Sequence, residues 1–446
     1  MRKKNFIIFL FLLCLLVGFF WAFSFGKDPG FSDDARAYDE TAQKILKSEI
    51  TEDIWIKNQM YDRPLYAFFL AGIYAIFGHS FVIVKIIQIF FYALIGILVY
   101  LISSFLIAEK KARLAGMLWI FAFSPAAYAG ILYREIFFSF LLVSTIFFLY
   151  RSKIKNPLPN LALSGFFFGL AFLTNSVLQF FVFLILINIF IVFKKENVIF
   201  KIKSCLVFLL PFVLIVGLWY GYCQINFKTM PTGGAGLFLA ERVETMHNVN
   251  ENYLPHLIGN SLGDFISFKL FAEYNPKLSR HGWHSWQEYD RLVAQGVDFK
   301  TIDKIFTKPS LQEIIDHPIM FLKMEIIDFL KFNQPMTPIV WMQAMFVGTH
   351  TAIAGWLKIL IILAIRFWYL FLSMIIIYAI IKSIKNWSKV SWIFLVIFYF
   401  NFVYSSLHAN ARYSIPIYPF YIIFLCLGCW FLINKFTHKN ENLLNC

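Results

Sequence analysis

Charge is what this sequence has least of. Asp, Glu, Lys and Arg make up 15% of its 446 residues, against about 25% in an ordinary soluble domain. Such a chain lacks the polar surface to face water on all sides, and with 59% hydrophobic residues and a mean hydropathy of +0.67 it reads as a polytopic membrane protein. Cysteine is scarce too. Cys14, Cys205, Cys223, Cys426 and Cys429 fall in apolar segments and Cys446 ends the chain. Cys426-x-x-Cys429 has the spacing of half a zinc site, but no second pair or nearby histidine goes with it, and two small residues packed on a helix account for it. Acids are outnumbered by bases, 26 to 40. The excess is spread over short links between apolar runs, which points to membrane topology and away from a nucleic-acid partner.

The apolar runs are what the sequence has in plenty. A hydrocarbon core of about 30 Å takes about 20 helical residues to cross, and backbone groups in lipid must be satisfied within the segment, which makes the spans helices. Ten are expected, over residues 5–25, 80–106, 114–132, 135–150, 161–175, 177–193, 204–226, 366–382, 390–407 and 415–434. With Arg2, Lys3 and Lys4 on the cytoplasmic side, every second link is basic: Lys110, Lys111 and Arg113; Arg151, Lys153 and Lys155; Lys194, Lys195, Lys201 and Lys203; Lys382, Lys385 and Lys389; then Lys435 and Lys439. That alternation puts both termini in the cytoplasm and the chain in the inner (cytoplasmic) membrane. The first run also has the basic start and apolar middle of a signal peptide, but without a distinct small-x-small cleavage site it is read as a retained anchor.

Two long segments then fall on the outer face of a single domain spanning 1–446: a first loop, 26–79, and a larger one, 227–365. Within them Leu65–Phe77 is too short to span and is expected in the interface, as is 351–364, interfacial or re-entrant. Ser310 and Glu313 have capping-box spacing ahead of an amphipathic helix. His281-x-x-His284 shows no third metal ligand and is read as surface packing. The fold class expected is thus an all-α polytopic membrane protein of about ten transmembrane helices, with two outer loops that contain interfacial helices.

The first loop opens with "FSDDARAYDETAQKIL", residues 31–46. Ala35, Tyr38, Ala42, Ile45 and Leu46 recur on one helical face, and Arg36, Asp39, Glu40, Gln43 and Lys44 on the other. Ser32 suits an N-cap, and Asp33 and Asp34 in the first turn complement the helix dipole.

Several separated stretches together resemble the polyprenyl-phosphate-dependent glycosyltransferases of the GT-C fold, of the protein mannosyltransferase and lipid A aminoarabinose transferase type. The family's first outer loop has an acid four positions before a tyrosine, then an alanine and an apolar pair; Asp34, Tyr38, Ala42 and Ile45-Leu46 match. "RPLYAFFLAGIYAIFG" from Arg63, "YREIFFSFLLV" with Glu135, and "LSGFFFGLAFLTNSV" are similar to further family stretches, although Asn175 stands where arginine is usual. "HANARYSIPIYPFY", residues 408–421, resembles the family's Arg-Tyr segment before the last span.

The resemblance implies transfer of a sugar from a polyprenyl-phosphate donor to a lipid, glycan or protein acceptor, among membrane lipids. Such a reaction needs a carboxylate to take the acceptor's proton and cations to hold the departing phosphate. Asp34 is the expected base, with Asp33 as the neighbour that raises its pKa or replaces it. Arg63, Arg134 and Arg412 are the phosphate candidates, and Tyr38, Glu135, His408 and Tyr413 complete the expected substrate-binding set. No cofactor is required; a divalent cation on Asp33 or Asp34 is compatible with the chemistry. The rival readings are a lipid-linked glycan flippase and a non-catalytic subunit of a surface-polysaccharide system. A transporter would place ionisable groups near the bilayer midplane, whereas here they gather at span ends and in loops.

Overall fold

The computed structural model describes residues 2–24, 33–58, 60–228, 231, 235–263, 266–267, 270–271, 283–334 and 355–436. Every regular element among them is helical. The chain opens with α1 (Lys3–Ser24), which buries Phe6, Leu10, Cys14, Gly18 and Ala22, one side chain per turn. Next come α2 (Asp33–Leu46), α3 (Glu52–Lys57), α4 (Leu65–Phe77) and α5 (Phe81–Leu106). The helix expected from "FSDDARAYDETAQKIL" is therefore present, and Ala35, Tyr38 and Ala42 are buried as its periodicity requires. Ser32 lies outside the described residues. Asp39, expected on the wet face, is buried instead, because its carboxylate accepts from Tyr74 Oη at 2.8 Å, from Gln43 Nε2 at 2.8 Å and pairs with His79 Nε2 at 2.8 Å. α4 is correspondingly packed against α2, with Tyr66, Ala67, Leu70, Ala71, Ile73 and Tyr74 buried.

The bundle continues through α6 (Glu109–Ile120), α7 (Phe123–Tyr128), α8 (Glu135–Ser152), α9 (Pro157–Thr174), α10 (Phe181–Val192) and α11 (Val198–Phe227). The span expected over 114–132 is broken at Phe121–Ala122 into two short helices, and the one over 177–193 is a 3-10 turn, Ser176–Phe180, followed by α10. The second long segment folds as α12 (Ala235–Glu251), α13 (Tyr253–Leu262), α14 (Trp283–Ala294), α15 (Phe299–Asp316) and α16 (Pro318–Phe332). Ser310 is not a cap. Asp298 caps α15 by accepting from Thr301 N at 3.1 Å, and Ser310 Oγ bonds back to Phe306 O at 2.7 Å inside the same helix.

Last come α17 (Gly355–Ser383), α18 (Trp387–Ser406) and α19 (Tyr418–Phe436). Residues 355–364 are the beginning of α17, continuous with the span expected at 366–382, and not a separate re-entrant piece; residues 351–354 lie outside the described residues. Among the described residues seven helical segments are long and apolar enough to cross a membrane, one of them, Ile359–Ser406, containing both α17 and α18. The count of ten is not reached by length and composition alone.

The basic links collect at one end of the bundle. Lys153 Nζ donates to Ser388 O at 2.5 Å, Tyr150 Oη donates to Lys389 O at 2.7 Å, Lys111 Nζ sits 2.9 Å over the Trp430 ring and the Arg113 guanidinium lies over Phe6. α8, α9 and α11 form the spine between that end and the other. Gly165 makes the α9–α11 contact possible: a Cβ there would fall 1.9 Å from the backbone oxygen of Phe208 and 3.1 Å from the Pro211 ring. Small residues let helices approach this closely in membranes. We expect Gly165→Ala to force the two backbones apart and destabilise the protein by about 1–3 kcal/mol. Gly217→Ala, where a Cβ meets nothing within 4 Å, should be neutral or slightly stabilising. Thermal unfolding of both variants in the same detergent checks the contrast.

Candidate active site

At the end of the bundle away from the basic links, three segments distant in sequence meet around one guanidinium. The 3-10 turn Ala411–Ile417, which leads into α19, carries Arg412, and its first residues are ordered by Asn410, whose side chain accepts from Arg412 N at 3.1 Å. Arg412 Nη2 donates to Asp34 Oδ2 in the first turn of α2. On its other side Arg412 Nε lies 3.7 Å from Glu135 Oε1, the first residue of α8. The guanidinium rests 4.9 Å over the Tyr133 ring and reaches Tyr413 Oη at 3.3 Å. Glu135 is buried, and its second oxygen has no hydrogen-bond partner among the described residues.

Arg134 is also buried, and Nη1 donates to Thr174 O at the end of α9, at 3.3 Å. This bond bears on the departure at Asn175. Asn175 caps the following turn and donates to Tyr404 Oη at 3.1 Å, so it is used structurally, yet Arg134 holds a guanidinium at the same helix end. Tyr38 is buried edge-on against Tyr66 at 4.8 Å, and burial pushes its phenol up to about 12, which keeps its proton in place.

His408 stands one step back. Its Nδ1 lies 3.3 Å from Glu241 Oε2 on α12, and its ring is 5.8 Å from that of Tyr413. Arg63 pairs with Asp62 at 3.8 Å and is near enough for its charge to act on Asp34. The side chain of Asp33 and all of His281 lie outside the described residues; His284 N is held by Glu244 Oε1 at 3.1 Å. Asp34, Glu135, Arg412 and Tyr413 are thus in direct contact, with Arg134 and Tyr38 beside them.

Three groups escaped the sequence reading. Tyr133, which supports Arg412, sits inside the quoted "YREIFF" and had only its position beside Arg134 to mark it. Glu241, which accepts from Trp286 Nε1 at 3.3 Å as well as holding His408, is separated from its partners by 45 residues or more, and no local pattern announces it. Asp39 is the third: its burial depends on Tyr74 and His79, 35 and 40 residues further on.

The charge balance at Asp34 differs from expectation. Burial alone would raise its carboxyl, but the guanidinium of Arg412, followed by Arg134 and Arg63, outweighs burial and holds it below the ordinary 3.8. With Arg412 engaged, Asp34 is a stable carboxylate and a weak base, rather than one raised by an acidic neighbour.

An apolar cavity of about 620 Å³ opens beside this cluster, lined by Trp55, Pro64, Phe68, Leu173, Leu218 and Trp219 among others. Leu173 immediately precedes the residue whose carbonyl holds Arg134. The cavity lies between α2, α4, the end of α9 and α11, and none of the clustered charged side chains lines it.

The comparisons agree with this architecture. Along 99% of its length the chain superposes on the apo crystal structure of an oligosaccharyltransferase from Archaeoglobus fulgidus, at a TM-score of 0.53 and 13% identity, covering 53% of that protein. The chain has the GT-C fold. A second structure, the oligosaccharyltransferase AglB of the same organism in complex with an inhibitory peptide and a dolichol-phosphate, aligns over 99% of this chain and 53% of that one, at a TM-score of 0.48 and 12% identity. This GT-C chain thus spans about half the length of the proteins it superposes on. Residues 62–220 match the family described as dolichyl-phosphate-mannose-protein mannosyltransferase. That match includes Arg63, Arg134 and Glu135 but stops short of Asp34 on one side and Arg412 on the other. No curated protein matches in sequence.

The Asp34 ion pair makes a pH-dependent contribution to stability. A carboxyl whose folded pKa is depressed stabilises the protein above its unfolded value, and that stability is lost as pH falls through the folded one. We expect Asp34→Asn to lower Tm slightly at neutral pH, by under about 1 kcal/mol because half-exposed pairs are screened. The difference should shrink to nothing as the pH drops below 3.8. Unfolding of the two proteins across pH 3 to 7 measures it.

Proposed function

We propose that this chain is a membrane glycosyltransferase that moves a sugar from a polyprenyl-phosphate donor to a lipid, glycan or protein acceptor at the outer face of the cytoplasmic membrane. The observation that carries this reading is Arg412 held between Asp34 and Glu135, with the buried Arg134 alongside. Cations in a partly dehydrated site are suited to a lipid phosphate, and the mostly apolar cavity lined by Leu173, next in sequence to the Thr174 carbonyl that holds Arg134, suits an isoprenoid chain. The gathering of basic links at the opposite end supports a cytoplasmic location for that end and for both termini.

The chemistry follows from the pairing. A donor phosphate competes with Asp34 for Arg412. Once Arg412 turns to the phosphate, Asp34 loses the strongest of the cations that depress its pKa, and its basicity rises. The acceptor hydroxyl oxygen then attacks the anomeric carbon while its proton passes to Asp34. The bond from the anomeric carbon to the phosphate oxygen breaks, and its electron pair leaves with the polyprenyl phosphate, held by Arg412 and Arg134. Donor binding thus switches the base on, and Asp34 is kept as a salt bridge until a donor is present. Tyr413 and Tyr133 flank Arg412 and limit the positions it can take.

The test is transfer from radiolabelled polyprenyl-phosphate sugars, supplied one at a time to purified protein in lipid. Asp34→Asn should lower turnover at least about 10²-fold at unchanged expression, while donor affinity rises, because the carboxylate that competes for Arg412 is gone. Arg412→Gln should instead weaken donor binding. Full transfer by both Asp34→Asn and Asp33→Asn would remove the aspartate base from the mechanism.

A further inference from the structure

Outside the site, one cluster on the helices of the second long segment has the chemistry of a metal centre. His247 lies on α12, Glu313 in the last turn of α15, and His317 in the one-residue link between α15 and α16. Glu313 and His317 are four residues apart and share a face. Nε2 of His247 is 2.8 Å from Glu313 Oε1, and Nε2 of His317 is 3.3 Å from that same oxygen. The two imidazole rings stand edge to face, 5.4 Å apart. The three ligand atoms all fall within 4.8 Å of one another, and each residue is partly open to solvent.

We propose that His247, Glu313 and His317 bind a single Zn²⁺, with water in the fourth position. Two imidazoles and a carboxylate make the N₂O set that zinc takes, at about 2.0–2.2 Å per ligand, which places ligand atoms roughly 3.3 Å apart in a tetrahedron. Two of the distances here are near that value, and the third is no more than 4.8 Å, between side chains partly open to solvent. The ligand set favours zinc over Mg²⁺ and Ca²⁺, which prefer all-oxygen cages.

The ion would clamp α12 to the corner between α15 and α16. That matters because α12 also carries Glu241, six residues before His247 and about 9 Å along the helix, which holds His408 and Trp286. The metal would act on the site through the seating of α12, as a positioning element, and takes no part in sugar transfer.

The experiment uses the full chain in detergent, stripped with chelator and dialysed against limiting Zn²⁺. We expect one more zinc per chain in the wild type than in the double variant His247→Ala, His317→Ala, and a zinc-dependent rise in Tm that the double variant and Mg²⁺ both fail to give. Glu313→Gln keeps a hydrogen-bonding group of the same size, so it should keep its metal-free Tm while its zinc affinity falls at least about tenfold. Equal zinc content in wild type and double variant, or a zinc-independent Tm in the wild type, would reduce the cluster to a pair of exposed ion pairs and overturn the proposal. Neither result depends on whether the protein transfers sugar.

Discussion

The Arg412 guanidinium is the constraint on which the rest of this architecture depends. It joins α2, the start of α8 and the turn before α19, segments separated by up to 378 residues. Holding charges away from bulk water costs several kcal/mol per ion unless partners are well placed. The chain must therefore bring Asp34, Glu135 and the Tyr133 ring to one point or leave a cation stranded. Each of those partners is fixed from behind. α2 is fastened to α4 through Asp39, Tyr74 and His79. α8 starts at the site and is seated against α9, whose last carbonyl receives Arg134.

The second long segment is built round a comparable but fully buried cation. Arg242 on α12 donates to Asp328 at 2.6 Å and to Glu325 at 3.0 Å, both on α16, and lies 4.7 Å over the Phe321 ring. It fixes the register of α12 on α16 beside a small core of Met246, Val249, Met324 and Ile327. Glu241, the preceding residue, faces His408. One helix turn thus ties the packing of this segment to the loop that presents Arg412.

The sequence could reveal what is local and periodic. α2 was legible because Ala35, Tyr38 and Ala42 alternate with polar residues at helical spacing, and the long spans were legible from apolar length. Boundaries within apolar stretches were not, since a run that is greasy all round has no periodicity to mark a break such as the one at Phe121–Ala122, or the continuity of α17 through 355–364. Ser310 misled because it and Asp298 both have cap chemistry, and only the path of α15 decides between them. The four members of the direct cluster could be nominated one by one, through family resemblance. Their convergence, and the sign of the shift at Asp34, depended on pairings across hundreds of residues that no local signal encodes.

α17 has 29 residues, about 44 Å of helix, well over the roughly 30 Å of a hydrocarbon core. Arg366 lies inside it, donating to Asn260 O at 3.2 Å and, at 3.4 Å, to Gln334 Oε1. A guanidinium is expensive to sink among acyl chains, and here the Asn260 carbonyl and the Gln334 side chain supply Arg366 with protein acceptors. One turn further on, Tyr369 meets Tyr418, at the start of the helix that Arg412 precedes. The one guanidinium inside α17 and the turn that carries Arg412 are thereby linked through a single pair of phenols, so a shift of α17 along its axis would be felt at the cationic site.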